Sequence, residues 1–212
     1  MEITKKISQK IILNSVLVFV KEIKGKNNLP YQGGYIVASN HASNLDPFLI
    51  CAIIFKNSGK IIRYIGKKEA LKNFLGRFIY RTFDVIPIDR NSNTKTPLKE
   101  AINALKKKEI VGIFPEATRT YDGGIHKGRT GVARLVLFSN SRIVPIAIKN
   151  TYSLWPRDKK FPKFKRIAKI NIGKPIKPKR SYTKDNVVSK EELRQLTDAV
   201  MKKIRHLYSN LK

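Results

Sequence analysis

The chain has 212 residues, of which 42% are hydrophobic and 9% aromatic. This length and composition suit one globular domain and exclude a disordered chain, and the single cysteine, Cys51, excludes an internal disulfide. Lysine and arginine number 44 against 15 aspartate and glutamate residues, and the net charge of +29 indicates an anionic partner such as nucleic acid, a lipid surface or a phosphate-bearing or acidic substrate.

Residues 1–26 are predicted to form an amphipathic helix, because apolar residues recur at intervals of three and four between lysines. Its most apolar part is shorter than the roughly 18–20 residues that a membrane span requires. Such a helix can lie in a membrane interface or cover the domain's own core, and periodicity does not separate the two. We take residues 1–30 as a membrane-interface helix with its linker, and residues 31–212 as a single α/β domain.

Residues 35–38 form a short apolar run that predicts a buried strand, and residues 48–55 predict a helix. Between them lie Asp46 and Pro47, which predict the helix start, with Asp46 as the N-cap and Pro47 at the first helical position. His41 therefore lies in a tight strand-to-helix loop, where α/β proteins usually place their chemistry.

The rest of the chain continues to alternate between predicted strands and helices. Strands are predicted at residues 61–65, 85–88, 110–114, 143–148 and 167–172, and helices at residues 67–81, 97–108, 132–138 and 189–209. Pro87 predicts an edge or irregular strand, and Ser189 with Glu192 predicts a capping box. The expected fold is an α/β domain with a mixed, mostly parallel sheet flanked by helices, including an N-terminal amphipathic helix and a C-terminal helix. Its motif loops should share one sheet edge.

His41 and Asp46 suggest general base catalysis. An imidazole can take a proton from a hydroxyl near neutral pH, and a carboxylate on its other nitrogen fixes the tautomer and stabilises the imidazolium. The hydroxyl can belong to the substrate, so no protein nucleophile is needed. Alternatively, Asp46 is only a helix cap and His41 a solvated or structural residue.

Four motifs together resemble the glycerolipid acyltransferases of the lysophosphatidic acid acyltransferase family. The first is Asn-His-x4-Asp, matched by Asn40, His41 and Asp46. The others are residues 85–90 (Val-Ile-Pro-Ile-Asp-Arg), residues 114–120 (Phe-Pro-Glu-Ala-Thr-Arg-Thr) and residues 143–146 (Ile-Val-Pro-Ile). The motifs occur in the family's order and span roughly residues 35–150, which makes the resemblance specific.

The resemblance implies that His41 is the base and Asp46 its orienting carboxylate. The implied substrate-binding residues are Asn40, Arg90, Glu116, Arg119 and Lys127. Arg90 and Arg119 would hold the acceptor's phosphate through charge-assisted hydrogen bonds, whereas Glu116 would accept from a glycerol hydroxyl or position an arginine. No metal site is expected, because the histidines and the cysteine lack zinc spacing. No bound cofactor is expected either, since the donor, acyl-CoA or acyl carrier protein, is a cosubstrate.

Two positions depart from the family pattern. Ala117 replaces the usual glycine of the third motif, and is strained if that position requires a positive φ, or narrows the pocket if the substrate passes close by. Asp84 stands where glycine is common before the second motif, and adds a negative charge near Arg90.

The implied function is acylation of lysophosphatidic acid to phosphatidic acid at the cytoplasmic face of the cell membrane. Its partners would be an anionic membrane surface, the lysophospholipid and the acyl donor, with no nucleic acid. Another lysolipid or glycerol 3-phosphate is an alternative acceptor. A basic nucleic-acid- or lipid-binding protein would explain the charge equally well but not the motifs.

Overall fold

The computed structural model describes residues 2–88, 95–178 and 188–212, and within them the chain forms a seven-stranded sheet and six α-helices. The strands are β1 (Val20–Lys24), β2 (Tyr35–Ser39), β3 (Ile62–Lys67), β4 (Ile86–Ile88), β5 (Ile110–Ile113), β6 (Arg142–Lys149) and β7 (Ala168–Ile172). The helices are α1 (Glu2–Ser15), α2 (Asp46–Ser58), α3 (Phe74–Phe83), α4 (Lys95–Lys106), α5 (Gly131–Ser139) and α6 (Lys190–Ser209).

The strand order is β1-β7-β6-β2-β5-β3-β4. The strands from β6 to β4 all run parallel, whereas β7 is antiparallel to β6 and β1 is parallel to β7. The loops after β2, β5 and β6 therefore leave the same edge of the sheet. The predicted α/β class with a mixed, mostly parallel sheet is confirmed, and Pro87 lies in the edge strand β4, as its missing N–H requires.

Helices cover both faces of the sheet. Side chains alternate along β2, so that Tyr35 and Val37 join the apolar cluster with α1, α2 and α3, whereas Ile36 and Ala38 join the cluster with α4, α5 and α6. The C-terminal helix begins with the predicted capping box: Ser189 Oγ accepts from Glu192 N, and Glu192 accepts from Ser189 N. The result is a three-layer domain with the sheet in the middle, buried most completely along its central strands.

The N-terminal helix is shorter than the sequence predicts. It ends at Ser15, and after a short 3₁₀ segment the chain enters β1, whose Val20 pairs with Ala168 of β7. The prediction of a helix through residue 26 was wrong, because the backbone of residues 20–24 pairs with β7 instead. The helix predicted at residues 67–81 also begins later, at Phe74, where the Asn73 side chain caps Gly76 N at 2.7 Å.

The helix α1 has two different faces. One face packs on α2 and α3: Leu13 is buried, and Gln9 Nε2 donates to Thr82 O at 2.6 Å. The other face exposes Ile3, Ile7 and Ile11. One face of α1 thus covers the domain's core, and the other, exposed apolar face is available to a partner such as a membrane. In the described ranges, none of the helices is long and apolar enough to cross a membrane.

Candidate active site

The loop after β2 is held in place by a buried asparagine. Asn40 Nδ2 donates to Ile148 O at 2.8 Å, and Asn40 Oδ1 accepts from Ile148 N at 2.9 Å. The side chain is 2% exposed. Both halves of the amide therefore fix the loop to β6, which leaves Asn40 beneath the site rather than on its surface.

Asp46 organises the same loop through one carboxylate oxygen. Its Oδ2 atom accepts from Ala42 N at 2.6 Å, from Ser43 N at 2.7 Å and from His41 Nδ1 at 2.9 Å. The N-cap of α2 is Leu45, so the prediction of Asp46 at the cap was wrong by one residue. The carboxylate points back along the loop and satisfies its N–H groups, which draws the chain round to bring the imidazole into contact.

The imidazole of His41 is oriented on two sides. Its Nδ1 atom faces Asp46, and its ring stacks on Phe114 with centroids 3.9 Å apart and an interplanar angle of 13°. Phe114 stacks in turn on Tyr64. A proton on Nδ1, shared with the carboxylate, leaves Nε2 with a lone pair, and that is the arrangement a general base requires.

Glu116 joins two loops at the floor of the site. Its Oε1 accepts from His41 N and its Oε2 from His126 N, both at 2.9 Å. Burial raises the pKa of this carboxyl, and the two backbone N–H groups oppose that rise. Glu116 therefore ties the backbone of His41, 75 residues away in sequence, to that of His126, and its contact with a substrate hydroxyl or an arginine stays a prediction.

A cavity of about 520 Å³ opens beside His41. Its basic lining residues are Lys67, Arg119, Arg129, Arg134 and Arg157. Arg119 Nη1 donates to Asn44 Oδ1 at 2.5 Å, which fixes the guanidinium near the His41 loop. Burial, followed by the charge of Arg157, lowers the pKa of Arg119, and the Asp46 carboxylate opposes this. The site thus combines a base with a concentration of positive charge suited to an anionic substrate.

The predicted site residues divide into separate groups. His41 and Arg119 line the cavity together, with Asp46 directly behind His41. Asn40 and Glu116 support the loop from below. Lys127 is exposed and its charge acts on Asp198 of α6, away from the cavity lining. Arg90 lies outside the described residues, so its phosphate-binding role stays a prediction.

Sequence reasoning missed several basic residues of the cavity. Arg129 and Arg134 flank the start of α5, just beyond the third motif, and their place after a motif loop was the available signal. Arg157 follows β6 within a lysine-rich stretch, where nothing local distinguishes it from surface charge. Lys67 is the last residue of β3 and lies at the edge of the sheet that carries the site. The predicted strand ended at residue 65, so it did not place Lys67 at that edge.

Both departures from the family glycines occupy left-handed backbone. Ala117 has φ 60° and Asp84 has φ 48°. Ala117 also lines the cavity. Both consequences considered for this residue, a strained backbone and a narrowed pocket, therefore apply at this position. Asp84 is a residue type that tolerates this region, and its carboxylate pairs with Lys5 of α1 at 2.6 Å. Its charge therefore anchors the N-terminal helix.

Comparisons with known proteins identify the family. The Acyltransferase family model matches residues 21–149. A 1-acyl-sn-glycerol-3-phosphate acyltransferase of Bacillus subtilis is 30% identical over 194 residues, covering 90% of this chain and 89% of that protein. One from Saccharomyces cerevisiae is 28% identical over 176 residues, covering 78% of this chain and 54% of that protein.

A solved structure has the same fold. The 1-acyl-sn-glycerophosphate (LPA) acyltransferase PlsC from Thermotoga maritima superimposes with a TM-score of 0.67 at 24% identity, covering 94% of this chain and 80% of that one. The family match and the Bacillus subtilis relative confirm the resemblance indicated by the four motifs. This chain belongs to the Acyltransferase family of enzymes.

Proposed function

We propose that this chain transfers a fatty acyl group from acyl-CoA or acyl carrier protein to the free hydroxyl of lysophosphatidic acid, giving phosphatidic acid. The observation that carries the proposal is that His41 lies on the wall of a basic cavity with Asp46 hydrogen-bonded behind it. The names of the relatives support the choice of acceptor. No bound cofactor takes part.

In the proposed reaction, His41 Nε2 accepts the proton of the acceptor hydroxyl as its oxygen attacks the thioester carbonyl. The C–O bond forms and the carbonyl becomes a tetrahedral oxyanion. When this intermediate collapses, the C–S bond breaks and the imidazolium returns its proton to the departing thiolate. Asp46 stabilises the imidazolium through Nδ1, and general base catalysis of this kind contributes about 10²–10⁴-fold in rate.

The first experiment measures transfer from palmitoyl-CoA to lysophosphatidic acid by the wild type and His41→Ala. We expect His41→Ala to remain folded and lose turnover, because the base is gone. His206→Ala is the matched control, since His206 is exposed on α6. Turnover by folded His41→Ala would refute the base assignment.

Asp46→Asn tests the role of the carboxylate separately. The amide oxygen can still accept the loop N–H groups, but it carries no charge to stabilise the imidazolium. We expect kcat to fall about 10²–10⁴-fold, with the KM for the acceptor little changed. A kcat within a few-fold of the wild type would leave Asp46 a purely structural role.

Ala117 favours a second candidate acceptor. The position lines the cavity, and a methyl group there reduces the space available beside the bound acceptor. Glycerol 3-phosphate and other lysolipids are therefore assayed in parallel. Faster transfer to one of them would identify that compound as the acceptor and leave the reaction class intact.

We further propose that the enzyme works at an anionic membrane surface on the cytoplasmic side. The helices α1 and α3 pack together, and both expose apolar rows: Ile3, Ile7 and Ile11 on α1, and Phe74, Leu75 and Phe78 on α3. Exposed Lys10, Lys72 and Arg77 lie beside these rows. Apolar insertion combined with attraction to anionic headgroups suits a membrane interface.

Cosedimentation with phosphatidylglycerol–phosphatidylcholine vesicles tests this surface. Phe74→Ala should weaken binding about 10- to 100-fold, because burial of a phenylalanine side chain contributes about 1.5–3 kcal/mol and each 1.4 kcal/mol is about tenfold. Tyr31→Ala is the matched control: both aromatics are 78% exposed, but Tyr31 precedes β2, at the opposite sheet edge. Equal effects would refute the surface. Strong, salt-resistant vesicle binding would disfavour the nucleic-acid alternative, whereas a nucleic-acid gel shift at moderate salt without vesicle binding would favour it.

A further inference from the structure

Arg157 is carried to the active site by a loop that docks on the His41 loop. Trp155 O, two residues before Arg157, accepts from Ser43 Oγ at 2.8 Å and from Asn44 N at 3.2 Å. Leu154, next to it, is fully buried. The position of Arg157 is therefore determined by a packed loop, in contrast to the exposed lysines that follow it.

The guanidinium of Arg157 stacks on an aromatic ring, but one of its N–H₂ groups lacks a hydrogen-bond acceptor among the described residues. It lies 4.1 Å from the ring centroid of Tyr121, a cation–π contact. Its Nη1 atom is buried and has no hydrogen-bond partner in the described ranges. A buried donor without an acceptor is costly. Arg157 also lines the His41 cavity, so an anion there can offer the guanidinium an acceptor, and a shift of the side chain toward the anion would pair Nη1 as well.

Arg119 adds a second cation at the same place. The two guanidinium groups are close enough for the charge of Arg157 to act on Arg119, and only Arg119 has a side-chain acceptor, Asn44, among the described residues. Two like charges that share a partly buried site are stabilised by an anion between them. A phosphate matches two guanidinium groups in charge and in hydrogen-bond geometry.

We propose that Arg157 is a specificity-determining residue that binds the acceptor's phosphate monoester together with Arg119. This inference rests on the proposed function. The acceptor is favoured over the donor for a geometric reason. The phosphate of lysophosphatidic acid is only a few bonds from its reacting hydroxyl, so it must lie in the cavity with His41, whereas the donor's phosphates are separated from the thioester by the whole pantetheine arm.

Steady-state kinetics of Arg157→Ala test the assignment. We expect its kcat/KM for lysophosphatidic acid to fall about 10- to 100-fold, the effect of losing a charged hydrogen bond, while the KM for palmitoyl-CoA is unchanged. Arg157→Lys keeps the charge without the planar fork and should fall in between. Arg142→Ala is the matched control, because Arg142 is exposed at the start of β6, at the opposite edge.

The same variants are then assayed with monoacylglycerol, an acceptor without phosphate. The preference for lysophosphatidic acid over monoacylglycerol should collapse in Arg157→Ala. An equal loss with both acceptors would overturn the phosphate assignment. An increase confined to the KM of palmitoyl-CoA would assign Arg157 to the donor and also overturn it.

Calorimetric titration with glycerol 3-phosphate gives a readout independent of turnover. Wild type and Arg142→Ala should bind it, whereas Arg157→Ala should bind at least 10-fold more weakly. Binding by Arg157→Ala as tight as that of the wild type, or no binding by the wild type, overturns the inference. Binding that requires Arg157, in a wild type that transfers no acyl group, would refute the proposed function and support the phosphate site.

Discussion

Ala117→Gly should stabilise this protein, although glycine usually destabilises. Ala117 has φ 60°, where the Cβ of an L-residue costs about 1–2 kcal/mol. Glycine removes that cost but gains unfolded-state entropy worth about 0.4–1 kcal/mol. We expect a net gain of about 0.5–1 kcal/mol in the free energy of unfolding. For a chain of this length that corresponds to about 1–4 °C in Tm.

Urea denaturation and calorimetry of the wild type and Ala117→Gly measure this gain. Lys108→Gly is the matched control, because Lys108 is exposed, has φ 61° and lies outside the cavity lining. It should gain a similar amount. Asp84→Gly should gain less, because it also loses the ion pair with Lys5.

A specific result would refute the reasoning. If Lys108→Gly gains stability and Ala117→Gly does not, the positive φ of Ala117 carries no strain, and the methyl group instead contributes packing. Activity separates the two consequences of the substitution. If strain at this position affects only folding, Ala117→Gly keeps its kcat, and any change confined to the acceptor's KM reports the added space in the cavity.

Three further predictions concern other parts of the molecule. Glu116→Gln presents an amide N–H₂ to one of two backbone N–H donors, so the free energy of unfolding measured by denaturation should fall by about 1–3 kcal/mol. Its kcat should also fall because His41 shifts, and an unchanged stability and kcat would refute the positioning role of Glu116. Burial raises the pKa of Cys51 to about 12, so a thiol reagent at pH 8 should label only unfolded protein, and rapid native labelling would contradict this. Ser189→Ala should cost about 1 kcal/mol in urea denaturation by removing the capping box of α6, whereas an unchanged midpoint would show that the box contributes nothing.

Local sequence determined the elements and the reactive pair. Strong apolar runs specify strands such as β2 and β5, because each run is buried whichever strands surround it. His41 and Asp46 are only five residues apart, so one turn of loop before a helix suffices to bring them together. Contacts between residues so close in sequence can be predicted from the sequence alone. The four motifs, taken together, also predicted the family.

Contacts between distant segments were decided by tertiary structure alone. Val20 belongs to a strand because β7 offers it a backbone partner 148 residues later, and no local pattern reports that partner. Glu116 holds the His41 backbone, and Arg157 reaches the cavity because its loop docks on Ser43 and Asn44. The charge of each residue is visible in the sequence, but whether that charge faces water, backbone or substrate depends on which distant segment packs against it.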